Sequence, residues 1–155
     1  MDRQVWLAGR WAAVVARYDA GAAAYGDDEH PWEMRGEWVA RVLRLIGPGA
    51  AVLDAPCGMG KYFPVLAAAG VRVASVDQSA GMRARARGIA FSLEPTSLQE
   101  LAYAGRFDAV LTVDAMEHNP PRTGPACWLT CTGGHRRLKR RSGTNHITAT
   151  ATNRA

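Results

Sequence analysis

The segment Ala51-Val-Leu-Asp-Ala-Pro-Cys-Gly-Met-Gly60 constrains this chain more than any other. A short apolar run ends in Asp54 and passes at once into a Gly-x-Gly turn, which describes a strand feeding a loop that lets its backbone come close to a ligand. Gly58 and Gly60 can take the positive φ such a turn needs, and Asp54 falls at the carboxyl end of the strand, where open α/β sheets hold their ligands.

A second run, Val71-Arg-Val-Ala-Ser-Val-Asp77, is β-branched and again ends in an acid, twenty-three residues after Asp54. That spacing fits one strand, one helix and one strand. It brings the Asp77 carboxylate beside the glycine turn, placed to accept hydrogen bonds from a pair of ribose hydroxyls. A third run, Phe107-Asp-Ala-Val-Leu-Thr-Val113, predicts another buried strand, followed by Asp114-Ala-Met-Glu-His118.

Together, Asp54-Ala-Pro-Cys-Gly-Met-Gly60, Val76-Asp-Gln-Ser79 and Phe107 to His118 resemble the motifs of class I S-adenosylmethionine-dependent methyltransferases, over roughly residues 30 to 121. The resemblance implies a Rossmann-like αβα sandwich of three layers on a mostly parallel sheet, with strand order 3-2-1-4 and the ligand at the switch point. It implies S-adenosylmethionine as cofactor and a methyl acceptor, expected to be a small molecule. Carried over, the methionine part of the cofactor falls to Asp54, Ala55, Cys57, Gly58 and Gly60, and the ribose to Asp77 and Gln78. The contacts of the adenine and of the transfer site fall to Met82, Leu98, Asp114 and Met116. Ser97 departs from the pattern, standing where relatives often carry an acid. Glu117 and His118 are the candidates for a general base, and a purely structural role as loop caps stays open for both.

A dinucleotide-dependent oxidoreductase is the competing reading. Its G-x-G-x-x-G fingerprint would need a third glycine where Phe63 stands, which disfavours it. Blander roles also stand beside the ligand-binding ones: Cys57 as a small buried hydrophobe, Asp54 as a helix cap, Asp77 as the N-cap of a helix starting near Ser79.

The chain of 155 residues, 48% hydrophobic, suffices for one domain with a core. No apolar run reaches membrane-spanning length, and the start of the chain does not read as a signal peptide, so a cytoplasmic protein is expected. Three cysteines, 57, 127 and 131, argue against a disulfide scaffold. Apolar periodicity predicts helices over 5–18, with a face of Val5, Trp6, Leu7, Trp11, Val14, Val15 and Tyr18, and over 33–46, stopped by Gly47-Pro-Gly49. A polar loop over 26–31 separates them; Tyr25, just before it, resembles a cofactor-touching position but reads first as a structural aromatic. Further helices are expected over 61–69, 79–87 and 98–102, and a strand over 89–93, with Arg83, Arg85 and Arg87 forming a solvated face.

Beyond residue 121 the pattern breaks. Residues 1–121 carry 12 basic and 14 acidic side chains, whereas 122–155 carry 7 basic and no acidic ones. We expect a basic tail over 122–155 that is disordered or read out of frame, after a methyltransferase half over 1–121. In the frame displaced by two bases, Cys127-Trp128 becomes Leu and an apolar helical stripe reappears around it. Such a sheet is incomplete on its C-terminal side, and the strand at 107–113 would have a bare edge open to self-association. A non-catalytic fragment is the alternative function, and a nucleic-acid-binding arm through His135 to Arg141 is disfavoured. Cys127, Cys131 and His135 lack a paired zinc-ligand motif, so no metal is expected.

Overall fold

The computed structural model describes residues 2–25, 36–86, 92–103, 105–113 and 115, together with the backbone of 32–35, 137–139 and 147–151. Helix α1 (Arg3–Gly21) opens on Asp2, whose carboxylate accepts the Gln4 amide at 2.9 Å, and it runs into a 3-10 turn over Ala22–Ala24. Helix α2 (Trp32–Ile46) stops where expected: the Gly47 amide closes on the Leu43 carbonyl at 2.9 Å with Gly47 at φ 75°.

The sheet alternates with helices in the order β1 (Ala51–Asp54), α3 (Phe63–Ala68), β2 (Arg72–Val76), α4 (Ala80–Ala86), β3 (Ser92–Glu94) and β4 (Ala109–Val113). These four strands are parallel and lie in the order β3-β2-β1-β4, the order expected from the sequence. Neighbouring side chains of the central strands leave on opposite faces. Val52 and Leu111 join one core with Val39, Val42, Phe63 and Leu66 from α2 and α3, while Leu53 and Val110 join a second with Leu101 and Phe107. Burial on both faces is what an apolar, non-alternating strand such as Ala51–Asp54 requires.

Two more strands, β5 (Arg137–Lys139) and β6 (Ile147–Ala151), complete a six-stranded sheet of order β3-β2-β1-β4-β6-β5. Here the structure corrects the sequence reading. The edge of β4 is not bare: β6 pairs antiparallel with it from Ala109↔Ala151 to Val113↔Ile147, so every β4 residue has a ladder partner on that side. The expectation of self-association through that edge loses its basis.

Two local differences matter nearer the site. Residues 98–100 form a turn and 101–102 follow without regular structure, in place of the expected short helix; Glu100 there accepts both the amide and the hydroxyl of Ser97, at 3.2 and 2.6 Å. Arg85 is exposed, as expected, and Arg83 half-buried, and both also donate to backbone carbonyls. Arg83 donates to the carbonyls of Asp77 and Gln78, both at 2.8 Å, and Arg85 donates to those of Ala22, at 2.8 Å, and Tyr25. Arg87 lies outside the described residues.

The turn after β1 is strapped to both neighbouring strands. The Ala55 amide donates to Leu111 O and the Cys57 amide to Val76 O, each at 2.9 Å, and Thr112 Oγ1, fully buried, donates to Ala55 O at 2.6 Å. Gly58 and Gly60 both have positive φ, 56° and 81°, but only at Gly60 is space short: a Cβ there would stand 2.6 Å from the Phe63 ring. Phe63, which takes the place of the third fingerprint glycine, therefore folds back over the turn, 1% exposed. Gly58→Ala should cost about 1 kcal/mol from the left-handed backbone alone, and Gly60→Ala about 3, because overpacking is added. Thermal melts of the two variants check the difference; equal losses would remove the role given to Phe63.

Candidate functional site

A cavity of about 180 Å³ opens at the carboxyl ends of β1, β2 and β4, the position at which a doubly wound sheet holds its ligand. Its floor is made by the turn Pro56-Cys-Gly-Met59, by Asp77-Gln-Ser79 after β2, and by Val113 and Ala115 at the end of β4. Met82 of α4 and the stretch Thr96-Ser-Leu-Gln99 form one side.

Asp77 organises the floor. Its Oδ2 accepts the Gly58 amide and its Oδ1 the Ser79 amide, both at 2.8 Å, so one carboxylate holds together the turns that follow β1 and β2. Burial raises its pKa; the two amide hydrogen bonds and the nearby Arg83 guanidinium act against that rise. Carboxylate oxygens accept more than one hydrogen bond each, so the side chain keeps lone pairs for hydroxyl donors in the cavity.

Asp54 has a different fate. It is 2% exposed, lies behind the cavity wall, and leaves its Oδ2 buried without a hydrogen-bond partner. Burial, with the neighbouring Asp77 charge second, pushes its pKa up to about 8. Burial thus raises both acids, but amide donors and the Arg83 guanidinium oppose the rise at Asp77, whereas burial and the Asp77 charge both favour the protonated form of Asp54. Cys57 does line the cavity, with its thiol pKa raised by burial and by both carboxylates, so it stays a neutral thiol there.

Of the residues expected to contact a cofactor, Cys57, Gly58, Asp77, Gln78, Met82 and Leu98 meet at the cavity. Asp54, Ala55 and Gly60 do not reach its wall; they shape the turn from behind, Ala55 packed in the second core and Gly60 beneath Phe63. Asp114, Met116, Glu117 and His118 lie outside the described residues, as do Cys127, Cys131 and His135. Among the described residues no group of three or more acids, histidines or cysteines is placed to hold a metal.

Sequence reasoning missed the roof. Trp11, Val14, Val15 and Tyr18 of α1 line the cavity, and Tyr25 joins them, its ring 6.0 Å from that of Tyr18. The stripe at i, i+3, i+4 and i+7 is visible in the sequence, but it reads as a core face. In the structure Leu7 is the buried residue of α1, while Val5 and Trp6 are 66% and 49% exposed. The stripe is apolar because it faces the cavity.

A family model described as a methyltransferase domain matches residues 52–132, just over half the chain. No curated protein sequence matches it. Among solved structures, a DhpI–SAM–HEP complex is similar with a TM-score of 0.63 at 18% identity, covering 94% of this chain and 82% of that one. Magnesium protoporphyrin IX methyltransferase (ChlM) from Synechocystis PCC 6803, with bound SAM, follows with a TM-score of 0.60 at 16% identity, covering 93% and 97%. A DhpI–SAH complex gives 0.59 at 19% identity, covering 91% and 79%. At these identities the likeness is one of fold.

The proton on Asp54 has a thermodynamic signature. Its folded pKa of about 8 lies above the ordinary 3.8, so its contribution to stability is full below that lower value and is lost as pH rises through about 8. The melting temperature should fall by about 4 °C or more between about pH 5 and about pH 9. Asp54→Asn, neutral throughout, should flatten that fall and exceed the parent in stability at the alkaline end. An unchanged slope in the variant would place the proton elsewhere.

Proposed function

Because the chain belongs to the methyltransferase-domain family, we propose that it transfers a methyl group from S-adenosylmethionine to a small-molecule acceptor. The observation that carries this reading is Asp77, held by two backbone amides at the wall of the cavity. The residues around it fit the cofactor. A carboxylate with spare acceptor capacity suits two ribose hydroxyls, and Gln78 stands next to it. Met82 and Leu98 offer an apolar slot to a flat base. Cys57 and Gly58 border the space left for the amino-acid portion. The DhpI and ChlM structures, which share the fold, contain SAM or SAH.

The cofactor brings an already activated sulfonium methyl, so the chain's own task is alignment. Fixing two reactants in attack geometry supplies a large part of such a barrier. The floor is fixed by backbone hydrogen bonds to β2 and β4, while the roof of Trp11, Val14, Val15 and Tyr18 confines the acceptor from the other side. A mostly apolar, half-open cavity favours a small acceptor with an apolar body over a polymer. Neutral Cys57 supplies neither a base nor a nucleophile. Glu117 and His118, which follow β4 in sequence, remain the residues proposed to take a proton from the acceptor.

Among the described residues no helix is long and apolar enough to cross a membrane. Calorimetric titration with S-adenosylhomocysteine tests the proposal. Saturable one-site binding is expected, weakened about tenfold or more in Asp77→Ala, as befits loss of hydrogen bonds to a charged group. A folded parent chain that binds no S-adenosylhomocysteine would overturn it.

A further inference from the structure

Helix α1 meets α4 near its C-terminal end. There Asp19 projects over the start of α4: its Oδ1 accepts the Ser79 hydroxyl at 2.5 Å and the Gly81 amide at 2.9 Å. Close approach at this point is possible because residue 81 is glycine; a Cβ would stand 2.7 Å from Ala22 Cβ and 3.1 Å from the Asp19 carbonyl oxygen. Arg85 fixes the following turn by donating to the Ala22 and Tyr25 carbonyls.

Ser79 faces two ways. Its hydroxyl donates to Asp19, while its amide donates to Asp77 Oδ1 at 2.8 Å. A single residue thus joins the helix that roofs the acceptor space to the carboxylate assigned to the cofactor. Ser79 is 3% exposed, whereas Asp19 stands at the solvent rim, where water competes for its oxygens. Such a contact makes and breaks more readily than one in the core.

We propose that Asp19 is a positioning residue, a latch that couples closure of α1 over the acceptor space to occupancy of the cofactor site, through Ser79 and Asp77. The inference rests on the assignment of Asp77 to the cofactor. When hydroxyls bind Asp77, the carboxylate, the Ser79 amide and the turn before α4 settle together, and the Ser79 hydroxyl and Gly81 amide are held in place for Asp19. Closing α1 in turn fixes Ser79 and so favours the bound form, since coupling between sites is reciprocal. The cofactor then loads first, and Trp11, Val14, Val15 and Tyr18 complete the acceptor wall afterwards.

The test uses the full chain, with S-adenosylhomocysteine as probe, read by calorimetry and by hydrogen exchange of α1. Asp19→Ala and Ser79→Ala should each weaken binding about fivefold, the low end of coupling between sites. Asp19→Asn, whose amide oxygen still accepts from Ser79 and Gly81, should bind within about twofold of the parent. In the parent and in Asp19→Asn the probe should slow exchange over the C-terminal half of α1; in Asp19→Ala it should not. Asp19→Ala binding as tightly as the parent, with the same slowing of α1, overturns the latch and leaves the cofactor assignment standing. Failure of the parent itself to bind overturns that assignment, and the latch with it.

Discussion

The carboxylate of Asp77 is the point on which the site depends. It accepts one amide from the turn after β1 and one from the turn after β2, so two loops that the sheet merely brings near each other become one surface. Each loop is also anchored on its own account: the first through Ala55 and Cys57 to the carbonyls of β4 and β2, the second through Arg83 to the carbonyls of Asp77 and Gln78. Backbone groups do most of this work. That explains how a floor of such varied side chains keeps its shape, and why glycine is needed at Gly60, where the Phe63 ring leaves no room for a methyl group.

Two carboxylates so near the ends of adjacent strands would repel if both were charged, and the fold resolves this by environment. Asp77 receives donors and a guanidinium, and Asp54 receives none that reaches its Oδ2. The protonated form that burial favours at Asp54 relieves its repulsion with Asp77. Asp54 thus lies behind the cavity wall, whereas Asp77 lines it.

How much of this was legible in the sequence follows from the range over which each feature is determined. Strand-turn units such as Ala51–Gly60 and Val71–Asp77 are local, set by β-branched runs and by glycines that need positive φ, and their order 3-2-1-4 emerged as expected. Leu98 and Met82 also reached the site, since they sit at fixed offsets from those units. The failures concern partners far apart in the chain. Nothing around Asp19 announces Ser79, sixty residues away, and nothing in Arg83 or Arg85 distinguishes a surface charge from a donor to backbone carbonyls. The β4 edge was misread for the same reason: the threonine-rich run Ile147–Ala151 has little apolar periodicity, yet an antiparallel ladder needs only backbone groups in register.

The α1 stripe shows where amphipathicity alone stops being informative. A row of apolar side chains states that one face avoids water and says nothing of what it meets. With Leu7 as its buried residue, α1 adds little to the core, and its apolar face closes a cavity instead. The fold thus separates two tasks. The sheet and its turns, tied by short hydrogen bonds, form a floor whose motifs are shared with a whole family. The roof is helix α1, whose Trp11, Val14, Val15 and Tyr18 line the cavity from above. That roof lies in the part of the chain before the family match, which begins at residue 52. Exchanging those four side chains would reshape the cavity from above while leaving the hydrogen bonds of Asp77 in place.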